Sequence, residues 1–124
     1  LRIKPKPGTI EVGWITYAKN LQRTAEATEA MYLMIKNAFE NLGYRRCEWK
    51  CDKLNKRSNK SAIRLGFKYE GLFRQATIYK NRNRDTAWYA IIDKDWKKLK
   101  KGYLKFLKPS NFDKNYKQFK KLKF

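Results

Sequence analysis

Apolar and polar positions alternate over Thr9–Tyr17, with Ile10, Val12, Trp14 and Thr16 on one face and Glu11, Gly13, Ile15 and Tyr17 on the other, which predicts a β-strand. A short polar stretch, 18–24, separates it from the strongest periodic signal in the chain. Ala27, Ala30, Met31, Met34, Ile35, Ala38, Phe39 and Leu42 recur at helical spacing and predict a long helix with one apolar stripe. Thr24 is placed to cap that helix, Glu26 and Glu29 lie in its first turns, and Gly43 follows as its stop. Alternation resumes over Tyr44–Leu54. Cys47, Trp49 and Cys51 share the inner face, and Arg46, Glu48, Lys50 and Asp52 the outer one. A polar turn then leads to a short helix whose Ala62 and Leu65 face inward, ended by Gly66.

Two further strands, Phe67–Tyr79 and Thr86–Ile92, flank the polar turn 80–85 and read as a hairpin, with Asp93–Trp96 closing the sheet region. In the final stretch, 97–124, Leu99, Tyr103, Phe106 and Leu107 fall at helical intervals among lysines. They predict an amphipathic helix packed on the core, fraying from Pro109. At the other end Leu1–Gly8 is basic, interrupted by Pro5 and Pro7, and expected to be extended and peripheral. A chain of 124 residues, 42% hydrophobic and 15% aromatic, is one domain with material for a core.

Charge changes the picture more than size does. The formal net charge is +20, and residues 97–124 hold eleven Lys against one Asp. Such a balance favours anionic partners: nucleic acid, a membrane surface or a phosphorylated cofactor. A lysine-rich composition spread over a solvated surface would give the same number. No apolar run approaches the roughly 20 residues of a membrane span. Cys47 and Cys51 lie four apart on one strand, with Cα atoms on the order of 13 Å apart and beyond disulfide reach. The chain has no His to complete a zinc site with them. They are expected to be reduced core thiols of a cytoplasmic protein, and no metal is expected.

A strand running into a helix N-terminus leaves free backbone N–H groups at the intervening loop, an anion site in outline. That loop carries Gln22-Arg23-Thr24-Ala25-Glu26-Ala27, which resembles the acetyl-CoA pyrophosphate loop of the GNAT superfamily of N-acetyltransferases. The family's form is Gln/Arg-x-x-Gly-x-Gly/Ala; Gln22 and Ala27 match, and Ala25 stands where glycine is usual. About thirty residues on, Asn55-x-x-Ser58, then seven residues, then Gly66-Phe67, is a second stretch characteristic of the fold. Continued through Tyr69-Glu70-Gly71-Leu72-Phe73-Arg74, it looks most like the ribosomal-protein-alanine acetyltransferase branch. The resemblance runs from Thr9 to Trp96.

The resemblance implies an α+β fold of the three-layer type: a partial GNAT fold with a mixed, mostly antiparallel sheet of about four strands, two main helices and a basic C-terminal helix. Residues 1–96 would be the acetyl-CoA-binding part and 97–124 a Lys-rich helix and tail. It implies transfer of acetyl from acetyl-CoA to an amine, either a protein N-terminus or a small molecule. Glu11 matches a strand Glu that serves as base in several members, and with no His the base should be a carboxylate, directly or through water. In the family the equivalent strand is bulged, a role open to Gly13, and backbone N–H groups near Trp14 and Ile15 would serve as donors. Asn55 matches the residue that holds the pantetheine arm, and Ser58 the residue that hands a proton to the departing sulfur. Thr24, Ala25, Glu26 and Ala27 complete the loop, while Arg23, Arg57 and Lys60 suit phosphates by charge and position.

The elements that open the family's fold would take on the order of 60–80 residues, and only Leu1–Gly8 precedes Thr9. With a first residue that is not Met, we expect a fragment or truncated reading frame, self-associated through an exposed strand edge or inactive alone. The competing class is a non-catalytic nucleic-acid-binding protein. It would use the tail lysines with Tyr103, Phe106, Phe112, Tyr116, Phe119 and Phe124 as phosphate grips and stacking surfaces.

Overall fold

The computed structural model describes residues 3–4, 8–12 and 24–124. Their elements are, in chain order, β1 (Ile3–Lys4), β2 (Thr9–Val12), α1 (Ala25–Lys36), β3 (Arg46–Asp52), α2 (Lys56–Arg64), β4 (Lys68–Tyr79), β5 (Arg82–Ile92) and α3 (Asp93–Phe106). The strands form one sheet in the order β1-β2-β3-β5-β4. Only β2 and β3 are parallel neighbours; the other pairings are antiparallel. This is the expected mixed, mostly antiparallel sheet with β1 added from the basic opening segment. The outer edge of β2, expected bare, carries β1 at Ile3↔Ile10 and Lys4↔Thr9. The rest of the predicted first strand, from Gly13 to Tyr17, lies outside the described residues.

Helix α1 starts where expected, with the Thr24 hydroxyl accepting the Ala27 N–H at 3.2 Å. Its buried face differs from the predicted stripe. Ala27, Met31, Ile35 and Ala38 are buried, but Thr28 and Tyr32 replace Ala30 and Met34, and Leu42 is exposed. The face turns because α3 packs there: Tyr32 lies 6.0 Å from Trp96 and 5.6 Å from Tyr103, ring centre to ring centre. A π-helical turn over Asn37–Asn41, closed by Leu42 N–H on Asn37 O, shifts the end of the stripe as well. Gly43 then takes φ +65, the left-handed stop predicted for it.

On β3 the inner face is as expected, with Cys47, Trp49 and Cys51 buried and both thiols free. The outer face is not a solvated row of charge. Glu48 is 4% exposed, and Arg46 bridges it to Glu70 on β4. Lys50 lies 4.3 Å above the Trp88 ring. The hairpin is tighter than predicted. Tyr79 pairs with Arg82, so the turn is Lys80-Asn81, both left-handed at φ 52 and 60. Charged residues at 82–85 hid the first third of β5.

The residues expected to close the sheet, Asp93–Trp96, are instead the first turn of α3, where Asp93 and Asp95 meet the positive end of the helix dipole. Trp96, Leu99, Tyr103 and Phe106 form its buried stripe, and Leu107 beyond it is half-buried. The stretch after Pro109 does not fray. Asn111 is buried and its amide reaches Phe106 O at 2.8 Å and Lys120 O at 3.1 Å, while its Oδ1 accepts Lys120 N–H. The tail thus turns back and seats Phe124 beside Gly66, Gly102 and Tyr103. No helix among the described residues is long and apolar enough to cross a membrane.

Two predictions follow from this packing. Gly66 has φ +96, and a Cβ there would lie 2.7 Å from Leu99 Cδ2 and 3.0 Å from the Phe124 ring. Gly66→Ala should therefore lower stability by about 2–3 kcal/mol in urea titration. Burial pushes the Cys47 thiol up to about 12. Its folded value lies above the unfolded one, so the stability it contributes is intact below pH 9 and lost as pH rises towards 12. Wild type should lose up to about 1.4 kcal/mol per pH unit more than Cys47→Ala across that window, measured by chemical denaturation.

Candidate cofactor-binding site

β2 and β3 run parallel from Thr9↔Arg46 to Val12↔Trp49, so their C-terminal ends point the same way. A helix follows each of them in the chain, α1 after β2 and α2 after β3. Ligands of open α/β sheets gather at such ends, where helix N-termini present backbone N–H groups. A depression lined by Thr9, Arg45, Arg46, Ile92, Asp93 and Lys94 lies at the opposite, N-terminal end of the two strands. It shares none of the predicted site residues.

The α1 half consists of Thr24, Ala25, Glu26 and Ala27, the cap and first turn. Thr28, next along, has its hydroxyl gripped by both terminal nitrogens of Arg64 at 3.1 Å, tying the end of α2 to the start of α1. Trp14, Ile15, Gln22 and Arg23 lie outside the described residues.

The α2 half is more fully specified. Asn55 caps the helix, its side-chain oxygen accepting the Ser58 N–H at 3.1 Å. The first turn contains no acidic residue, and Lys56, Arg57 and Lys60 are exposed. Ser58 points inward, its hydroxyl accepting the Trp49 indole N–H at 3.0 Å. It also lies against Cys51, whose thiol burial raises and the Ser58 hydrogen bond pulls partly back. Indole and thiol therefore set where the Ser58 proton can point.

Two residues of this half were not singled out from the sequence. The Asn59 amide donates to Asn55 O at 2.7 Å, Asp52 O at 3.2 Å and Lys53 O at 3.3 Å, and its oxygen accepts the Tyr89 hydroxyl at 2.6 Å. The available signal was an Asn inside a helix, where its intrinsic propensity is poor.

Glu11 lies elsewhere. Ile10 and Val12 pack in the core with the helices, so Glu11 is on the opposite face of the sheet. There its Oε2 is 3.1 Å from Lys50 Nζ, both side chains mostly covered. The sheet thus separates Glu11 from Asn55 and Ser58.

Residues 1–68 match the family model for the acetyltransferase (GNAT) domain. The chain belongs to the GNAT family of acetyltransferases. It is 45% identical to a GCN5-related N-acetyltransferase from Brucella melitensis, whose crystal structure superposes with a TM-score of 0.95 over 98% of this chain and 55% of that one. A probable GNAT-family acetyltransferase from Chromobacterium violaceum is 48% identical, with a TM-score of 0.71 over 73% of this chain and 46% of that one. An uncharacterized N-acetyltransferase of Bacillus subtilis, YnaD, is 27% identical over 88 residues, 71% of this chain and 51% of its own length. The chain spans about half the length of these relatives.

Both stretches that carried the resemblance, 22–27 and 55–67, fall within the GNAT match. The second corresponds to one structural unit: cap, α2 and the Gly66 turn that leads into β4. Loss of the cap should be measurable apart from any ligand. Asn55→Ala is expected to cost about 1 kcal/mol of stability and Asn55→Asp much less, by thermal or urea unfolding.

Proposed function

We propose that this GNAT chain binds acetyl-CoA across the N-termini of α1 and α2 and serves transfer of its acetyl group to an amine. The observation that carries this reading is the α2 N-terminus: a capped helix start with no acid in its first turn and three exposed cations beside it. A helix terminus alone contributes about 0.3–1 kcal/mol towards an exposed anion, too little for a specific site. Arg23, Arg57 and Lys60 are therefore assigned to the phosphates, with Gln22 and the 24–27 turn around the pyrophosphate and Asn55 on the pantetheine arm.

When bound, acetyl-CoA supplies an activated thioester. The amine nitrogen bonds to the acetyl carbon, the C–S bond breaks, the sulfur takes a proton, and the amine gives one up. Ser58 is assigned as donor to the sulfur, since Trp49 fixes its hydroxyl from behind. Glu11 is assigned as base from the opposite face of the sheet, receiving the amine proton at Oε1 through water while Lys50 holds Oε2. Backbone N–H groups near Trp14 and Ile15 are assigned to the carbonyl oxygen. The stretch from Asn55 to Arg74 favours the ribosomal-protein-alanine branch, hence a protein N-terminal amine as acceptor, with small amines as the other class. The two free, buried cysteines support a cytoplasmic location.

Isothermal titration of the purified protein with acetyl-CoA tests the reading. Saturable binding is expected, weakened at least about tenfold by Arg23→Glu and unchanged by Cys47→Ala. No detectable heat at millimolar ligand from folded protein overturns it.

A further inference from the structure

The turn between β3 and α2 carries the cap Asn55 and, one turn on, Ser58. Its own hydrogen bonds are few: Asn55 N–H on Asp52 O, Lys56 N–H on Leu54 O, and Leu54 N–H on the Asp52 carboxylate. What gathers its carbonyls is a side chain. The Asn59 amide nitrogen reaches Asp52 O, Lys53 O and Asn55 O, and these contacts span the turn from the end of the strand to the cap. Three carbonyl acceptors around one group fix which end of the amide is nitrogen, so its oxygen must face the other way.

That oxygen meets Tyr89. The phenol comes from the middle of β5, thirty residues later, and points to the helix side of the sheet with the ring 4% exposed. Its hydroxyl donates to Asn59 Oδ1 at 2.6 Å. Tyr69 packs on the ring at 5.5 Å, which leaves the phenol little room to swing. Burial raises the Tyr89 phenol above its usual range, so it is a donor throughout neutral pH. The β5 pairing that places Tyr89 opposite Trp49 continues the length of β3. Tyr89 and Trp49 thus project from adjacent strands towards α2, one onto Asn59 and the other onto Ser58.

We propose that Tyr89 and Asn59 are positioning residues for acetyl-CoA: Tyr89 orients the Asn59 amide, which holds the strand-to-helix turn in the shape that aims Asn55 and Ser58. The inference rests on the acetyl-CoA reading above and adds to it two residues that act through Asn55 and Ser58. Tyr89→Phe removes one oxygen and keeps the ring in its socket. Asn59→Asp keeps an acceptor for Tyr89 but takes away the donors to the three carbonyls, on a part-exposed surface of α2.

The test combines titration with acetyl-CoA and amide hydrogen exchange on the purified protein without ligand. Both variants should bind about three- to tenfold more weakly. The amides of Leu54, Asn55 and Ser58 should exchange faster while those of β3 and β5 do not. Ile91→Val, a core change chosen to match the loss of melting temperature, should bind like wild type. Unchanged affinity and exchange in Tyr89→Phe and Asn59→Asp overturn the proposal, and so does equal weakening by Ile91→Val, which would make the effect general destabilisation. Should wild type itself fail to bind acetyl-CoA, the functional reading falls with this use of the clamp. The exchange data then decide separately whether the pair holds the turn.

Discussion

A phenol shut off from water must find its hydrogen bond inside the protein, and Tyr103, fully buried, finds the carbonyl of Leu65 at 2.6 Å. Much of the helical layer is arranged around that bond. Leu65 ends α2, so the contact fixes the helix at its C-terminal end and leaves the chain to reverse at Gly66. The same ring is packed by Tyr32 from α1, Trp96 from its own helix and Phe124 from the tail. Removing the hydroxyl would strand a buried carbonyl at the one place where α1, α2, α3 and the tail converge. Phe124 is seated where any side chain on Gly66 or Gly102 would stand, so the two glycines and the tail form a single fitting.

Held at Leu65, a nine-residue helix still has a free end, and that end carries the residues proposed to meet the cofactor. Tyr89 and Trp49 complete the restraint by reaching up from the sheet to Asn59 and Ser58. Helix α2 is therefore fixed by tyrosines at both ends, one from β5 and one from α3. Both lie beyond residue 68, where the family match stops. The stretch that carries the recognisable motif is thus not the stretch that holds it in position. Substitutions at 89 or 103 would act on the site from a distance, through the attitude of α2.

What could be read from the chain was whatever local chemistry decides. Thr24 and Asn55 act within three residues, Gly43 and Gly66 answer to backbone geometry, and Ala62 and Leu65 follow helical spacing. Misreadings began where a partner lies far along the chain. Tyr32 turned inward because of Trp96 and Tyr103. Glu48 could be buried because Arg46 joins it to Glu70, twenty-four residues beyond Arg46. The tail looked frayed because its lysines mask a turn pinned by Asn111. Of the candidate site, Asn55 and Ser58 were singled out by the motif, whereas Asn59 needed a hydroxyl from β5 to be noticed. Glu11 shared a strand with core residues on alternating faces, and that alternation puts it across the sheet from Ser58.

The charge of the molecule now divides into two kinds. At least six of the eleven carboxylates are in ion pairs, among them Glu11–Lys50, Asp52–Arg82, Glu40–Lys100 and Lys68–Asp95. Those carboxylates organise the sheet face and the α1–α3 contact, and they leave most of the +20 excess on exposed lysines and arginines. In salt of physiological strength such charges act over about 8 Å, and single exposed pairs are worth less than about 1 kcal/mol. They can draw a phosphorylated ligand towards the surface and speed its arrival, but screened charges spread over a whole surface do not by themselves fix one pose. Geometry at α2 falls instead to neutral groups: an amide capping a helix, another gathering a turn, an indole on a hydroxyl and a phenol behind them. Salt should accordingly change how fast an anionic ligand arrives far more than where it sits, because the groups that aim the site carry no charge to screen.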